Sequence, residues 1–195
     1  MMTNEQWYEV VNSDIELTQG DIILDCPVIR WNSKPIKLEL GQETDILKSS
    51  IEVIQADVLV MTQACDLEQH KVNNVILCPH VSLDEYKKEW EMVMKSMKQT
   101  PSTKAWRRIC KDIKNGYIWN LAMLNEGGHG TLILTHRVVD FHDVYTIPRI
   151  FLESLLQEKK QDRLRLCPPY REHLSQAFAR FFMRVGLPMG VKDVW

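Results

Sequence analysis

The stretch Asp57–Leu67, with the sequence DVLVMTQACDL, changes abruptly from apolar to polar residues. Its first half, Val58–Met61, is an apolar run of the kind that forms a buried strand. Four compact polar side chains follow at Thr62, Gln63, Cys65 and Asp66. Functional groups often lie at strand ends, because a rigid strand positions the loop that follows it. The stretch therefore predicts a central strand whose end carries a ligand-binding site formed by these four residues.

Other strands are predicted around this one in the first eighty residues. They are short β-favouring runs bounded by turn residues, namely Asp21–Leu24, Val28–Trp31, Ile36–Leu40 and Val75–Leu77. Further along the chain, Tyr117–Leu124 and Thr131–Thr135 form a predicted strand pair around a glycine-containing loop. Short strands at such close spacing indicate an antiparallel meander.

Helices are predicted between and after these strands. Ser82 and Glu85 have the spacing of a capping box, and apolar residues then recur every three or four positions. We expect a single domain over residues 1–195. Its predicted parts are a β core at about 17–81 and 117–141, a helical insertion at about 82–116 and a C-terminal helical segment at about 148–186.

Length and composition narrow the class of protein. With 195 residues, of which 45% are hydrophobic and 26% charged, the chain matches one ordinary globular domain. No run approaches the ~18 apolar residues of a membrane span, and the first residues lack the features of a signal peptide. The five cysteines are scattered without framework spacing, which favours reduced thiols. We therefore expect a cytoplasmic protein without a membrane contact, and no motif predicts a cofactor.

Charge is distributed unevenly along the chain, although the net charge is only −2. The segment Lys95–Lys114 contains seven basic residues and one acidic residue, a net charge of +6. The candidates for partner contact within it are Lys104, Arg107, Arg108 and Lys111. A basic block of this kind fits either the phosphates of RNA or an acidic protein surface.

A second thiol and an imidazole lie near the end of the next predicted strand. Period-two geometry places Cys78 and His80 on one side of that strand, and Cys65 meets them if the two strands pair. Three interpretations stay open. In the first, the cluster binds zinc, although no C-x-x-C spacing supports such a site. In the second, His80 activates Cys65 as a nucleophile. In the third, the thiols are buried hydrophobic groups. The candidates for catalysis are accordingly Thr62, Cys65 and His80.

Three segments together resemble the opening of the MazF/PemK family of small SH3-like barrels. They are Gly20–Ile22, the strand Val58–Thr62 and the strand Val75–Pro79, which occur in the order typical of that family. The resemblance implies an SH3-like barrel, often dimeric, in a family whose members cleave RNA and are held in check by antitoxins.

The chain departs from the family pattern at a position that matters for catalysis. The family's Arg-Pro pair would fall near Gln55–Asp57, where no cationic residue occurs. Thr62 alone cannot supply the acid, the base and the charge stabilisation that RNA cleavage needs. A fold can persist where an activity has been lost.

The combined expectation is an α+β fold, specifically a small SH3-like β-barrel with a helical insertion and a C-terminal helix. The favoured function is a binding or regulatory module of bacterial type, within a toxin–antitoxin or defence system, that contacts RNA or an acidic protein and can form a homodimer. Two enzymatic alternatives stay open. One is a divergent MazF-like endoribonuclease, and the other is a thiol or zinc hydrolase that uses Cys65 and His80. The missing Arg-Pro pair favours binding over catalysis.

Overall fold

The computed structural model describes residues 6–32, 41, 43–130 and 132–183. Within these ranges the strands are β1 (Tyr8–Val11), β2 (Asp21–Trp31), β3 (Ile51–Val60), β4 (Asn74–Ser82), β5 (Leu121–Leu124), β6 (Gly127–His129), β7 (Leu132–Leu134), β8 (Arg137–Asp140), β9 (Tyr145–Pro148) and β10 (Arg163–Leu166). The helices are α1 (Glu43–Ser49), α2 (Ala64–Glu68), α3 (Leu83–Ser96), α4 (Thr103–Lys114), α5 (Arg149–Lys159) and α6 (Tyr170–Phe182). The predicted strand Ile36–Leu40 lies outside the described residues.

The main sheet is antiparallel and has the strand order β1-β10-β2-β3-β4-β8-β5. Strand β4 divides its pairing, because Asn74–Leu77 pairs with β9 whereas His80–Ser82 pairs with β8. The sheet therefore branches at β4, and over the described residues its end strands β1 and β5 do not pair with each other. The α+β prediction is confirmed. The expected barrel is not closed, and the SH3-like assignment is not confirmed.

Alternate residues of the central strands pack into two separate cores, one on each side of the sheet. On β4, Cys78 faces the core beneath α6, whereas Val75 and Leu77 face the core beneath α5. The first core is covered by Leu174 of α6, and the second by Leu152 of α5. Both faces of the central part of the sheet are thus buried, which is why β3 and β4 contain short, nearly continuous apolar runs.

Strand β2 is longer than predicted and contains a bulge. The segments Asp21–Leu24 and Val28–Trp31, predicted as two strands, form one strand of 11 residues. Its register against β3 shifts between Ile23 and Cys26, and Asp25 has a φ of +50° at this point. Extra residues of this kind bend a strand and increase its twist.

The predicted helical insertion is present as α3 and α4. Ser82 caps α3 in a capping box with Glu85, as the spacing indicates. Ile113 of α4 is buried against Leu121 and Val138, which anchors the helix pair to the sheet. No helix in the described part of the chain is both long and apolar enough to cross a membrane.

Three strands, β1, β9 and β10, lie outside the predicted core ranges. Strand β1 precedes residue 17, and β10 interrupts the predicted C-terminal helical segment between α5 and α6. Residues 184–186 of that segment lie outside the described residues. Strand β10 occupies an interior position between β1 and β2, although its sequence, RLRL, alternates charged and apolar residues. It can do so because the Asp21 carboxylate forms ion pairs with both of its arginines.

Candidate functional site

The Thr62 hydroxyl stabilises the sheet. Thr62 is buried, and its Oγ1 accepts a hydrogen bond of 2.7 Å from the backbone amide of Ile76. The bond joins the end of β3 to β4 at the point where their backbone ladder finishes. The hydroxyl at this strand end is therefore engaged by the backbone of the neighbouring strand.

The other three residues of the predicted strand-end site lie around the start of the short helix α2. Gln63 is its N-cap, and the Cys65 thiol is exposed. The Cys65 Sγ lies 3.8 Å from Gln63 Oε1 and 3.9 Å from Asp66 Oδ1. These three side chains are close together at the surface, whereas the Thr62 hydroxyl points inward to the sheet.

The second thiol and the imidazole do not join this group. Cys78 is fully buried in the core beneath α6, where burial raises the pKa of its thiol to about 12. His80 is only 2% exposed and accepts a hydrogen bond of 2.9 Å at Nδ1 from Arg137 Nε. Among the described residues, no three His, Cys, Asp or Glu side chains are placed to hold a metal ion. The zinc interpretation of Cys65, Cys78 and His80 is therefore wrong, because Cys65 is at the surface while the other two are in the interior.

His80 belongs to a buried network with Arg137 and Asp57. Arg137 Nη2 binds Asp57 Oδ2, and Asp57 Oδ1 accepts a hydrogen bond of 3.1 Å from the Asp25 amide. Burial and the neighbouring Arg137 charge lower the His80 pKa to about 3, so that the imidazole stays neutral and can accept the Arg137 hydrogen bond. A cationic group does lie beside Asp57, but it comes from β8 and is paired there. The pairing was not predictable from the sequence, because residues 57 and 137 are distant in the chain.

A second buried network holds β10 and the loop before β2. Asp21 accepts hydrogen bonds from Arg163 Nε at 2.7 Å and from Arg165 Nε at 2.5 Å. Arg163 also donates to the backbone carbonyls of Asn12, Ile15 and Glu16. The aspartate of the Gly20–Ile22 segment is therefore a structural anchor, and Arg163 is not available to a ligand.

The basic residues of α4 are, in contrast, all on the outside of the molecule. We call Lys104, Arg107, Arg108, Lys111 and Lys114 the basic stripe, since their spacing places them on one side of the helix. Every member is exposed, Arg108 to 84% of its side-chain area. Arg108 lies 3.7 Å from Asp112, and no other member forms an ion pair with a described carboxylate. The stripe therefore presents a concentrated positive charge to solvent.

Aromatic residues occur within α4 and directly after it. Trp106 points inward, with its ring centroid 5.3 Å from that of Trp90. Directly after the helix, Tyr117 is 68% exposed and Trp119 is 50% exposed. Both residues belong to the predicted strand Tyr117–Leu124, but the strand begins only at Leu121. Their exposure was not predictable from the apolar pattern.

The geometry thus separates two sets of predicted site residues. At the end of β3, Gln63, Cys65 and Asp66 form a small surface cluster, and on α4 the predicted partner residues form one charged surface. A scan of protein-family models finds no match to this chain, and a search of curated proteins finds none either.

Proposed function

We propose that the protein binds single-stranded RNA, with the basic stripe of α4 in contact with the phosphate backbone. The observation that carries the proposal is the exposure of five basic side chains on one side of α4, a helix whose sequence contains one acidic residue, Asp112. Phosphate contacts supply most of the sequence-independent affinity of nucleic-acid-binding proteins. The protein is accordingly a binding module in this proposal.

The dimensions of the stripe suit an extended strand. From Lys104 to Lys114 it spans about 15 Å along the helix axis. A strand that follows this line meets a basic group at nearly every helical turn. The first fifty residues have a net charge of −5, from nine acidic and four basic residues, which disfavours phosphate binding by that segment.

Exposed aromatic side chains near the basic stripe also suit single-stranded RNA. Tyr117 and Trp119 follow the basic stripe in the chain and expose more than a third of their surface. Bases of a single strand stack on exposed aromatic rings, which contributes affinity with little dependence on sequence.

The test is the salt dependence of binding to a single-stranded RNA oligonucleotide about 10 nucleotides long. For the double variant Arg107→Gln, Arg108→Gln, the slope of log affinity against log salt should decrease by about 0.7 for each phosphate that the variant no longer neutralises. The matched control, Arg30→Gln with Lys48→Gln, removes the same charge at exposed positions outside α4 and should keep the parent slope.

The outcomes separate the alternatives. Equal slopes for the parent and the stripe variant reject RNA binding by α4. Binding to polyglutamate without binding to RNA would identify an acidic protein as the partner instead. Gel electrophoresis of the RNA after the binding measurement gives its length, and we expect the RNA to stay intact. Shortened RNA would indicate the divergent endoribonuclease.

A further inference from the structure

A groove lies beyond the C-terminal end of α4, between this helix, β5 and α6. Its volume is about 260 Å³. Pockets for drug-sized ligands start at about 300 Å³, so this groove suits a smaller group, such as a single nucleobase. A smaller cavity of about 30 Å³, lined by Trp119 and Arg180, adjoins it. We call the larger cavity the α4–α6 groove.

The basic side chains that line the α4–α6 groove come from α4 and α6. They are Lys114, His173 and Arg180, and no Asp or Glu is among the described residues that line it. Arg180 has no ion pair or side-chain hydrogen bond with any described residue, so its guanidinium is available to an anion. It lies close to the end of α4, since a Cβ atom on Gly116 would be 3.9 Å from Arg180 Nη2.

Aromatic and apolar groups form the rest of the lining. Trp7 and Tyr170 stack with ring centroids 3.8 Å apart and an angle of 12° between their planes, and both rings line the groove. Met123 of β5 and Ala177 of α6 lie along the same cavity. A flat apolar group therefore meets aromatic and aliphatic surface inside the groove and cationic groups at its rim.

Lys114 belongs both to the basic stripe and to the groove. An RNA strand that follows the stripe towards the end of α4 therefore arrives at the groove without leaving the basic surface. From this continuity we infer that the α4–α6 groove receives one unstacked base of the bound strand, with the attached phosphate held by Lys114 and Arg180. The inference rests on the proposed function and deepens it by assigning a nucleotide subsite.

The first experiment uses adenosine monophosphate as the probe and compares it with inorganic phosphate by titration calorimetry on the full chain. Adenosine monophosphate should bind more tightly, because the groove adds contacts to the base. Arg180→Gln should weaken this binding by about fivefold, the upper range for an exposed charge pair. The control Arg171→Gln removes the same charge from α6, at a residue that pairs with Glu172 at 2.7 Å and does not line the groove, and should bind like the parent.

The second experiment locates the base directly. An RNA oligonucleotide that contains 4-thiouridine is photo-crosslinked to the protein, and the crosslinked peptides are identified by mass spectrometry. Peptides with Tyr170 or Met123 should carry the crosslink. A role of these residues in folding alone would not produce this signal.

The failure of this inference is distinguishable from failure of RNA binding. If RNA affinity depends on Arg107 and Arg108, but adenosine monophosphate binds no better than phosphate and crosslinks fall outside the groove, the groove assignment is overturned while the RNA proposal stands. If adenosine monophosphate binding depends on Arg180 but RNA affinity is the same with and without Arg107 and Arg108, the RNA proposal fails and the nucleotide subsite remains. If the parent binds neither ligand, both are rejected.

Discussion

Arginine has opposite roles in two regions of this molecule. Arg137 and Arg163 are buried and bind Asp57 and Asp21, respectively, whereas Arg107 on α4 is exposed and has no described acidic partner. A charge in the interior must be paired, since an unpaired buried ion costs several kcal/mol. The guanidiniums of Arg137 and Arg163 therefore belong to the fold, whereas that of Arg107 is open to a ligand. Substitutions in the two regions should accordingly differ in their effect on stability.

The largest effect is expected at the centre of the β10 network. Asp21→Ala leaves Arg163 and Arg165 without their common carboxylate in a buried site, and should lower the free energy of unfolding by about 3–5 kcal/mol. Urea denaturation measures the change. Glu52→Gln, which breaks the exposed pair with Arg30, serves as the control and should stay close to the parent. A similar loss in both variants would contradict the distinction between buried and exposed pairs.

The second prediction concerns pH and the network around Arg137. His80 has a pKa of about 3 in the folded protein, below the 6.5 of an ordinary histidine, so below pH 6.5 the unfolded chain binds a proton that the folded chain does not. Stability should therefore fall as the pH decreases from 6.5 towards 3, by up to about 1.4 kcal/mol per pH unit from this residue.

The contribution of His80 to this loss of stability can be isolated with His80→Asn. The side-chain oxygen of asparagine can still accept a hydrogen bond from Arg137. Urea unfolding of both proteins at pH 7 and pH 4.5 should show a smaller loss of stability for the variant. Equal losses in the two proteins would mean that His80 titrates normally in the folded state.

A smaller effect is expected at the end of β3. Thr62→Val keeps the shape of the side chain but removes the acceptor of the Ile76 amide, and should cost about 1–3 kcal/mol of unfolding free energy. Thr146→Val, at an exposed position of β9, provides the matched control and should change stability by less than about 0.5 kcal/mol. If Thr62→Val behaves like the control, the hydroxyl is available for another role.

The smallest effect is expected on α4 itself. The variant Arg107→Gln, Arg108→Gln should unfold within about 0.5 kcal/mol of the parent, because both side chains are exposed and glutamine has a similar helix propensity. Circular dichroism during urea denaturation measures the free energy of unfolding of both proteins. A large loss would place these residues in the fold rather than at a binding surface.

Local signals in the sequence predicted the elements that local interactions determine. The capping box of Ser82 with Glu85 marked the start of α3, and the apolar run Val58–Met61 marked the central strand β3. The basic side of α4 followed from the apolar residues on its opposite side. In each of these cases the deciding contacts lie within a few residues along the chain.

Elements that depend on distant partners were missed or assigned wrongly. Strand β10 was not recognised because Arg163 can be buried only beside Asp21, 142 residues away in the sequence. Helix α2 was missed because its N-cap, Gln63, makes no side-chain capping bond. The barrel prediction failed because nothing in the sequence of β4 indicates that it pairs with two different strands. The candidate groove likewise joins Trp7 to Tyr170, which no local pattern brings together.

The interior position of β10 has a consequence for synthesis on the ribosome. Strand β1, made early, has β10 as its only strand neighbour in the described part of the sheet, and β10 also completes the edge of β2. A nascent chain that has not yet extended past Leu166 holds both of these edges unpaired. Unpaired edges invite association with other chains, so these two edges are open to aggregation until β10 has been synthesised and has paired with them.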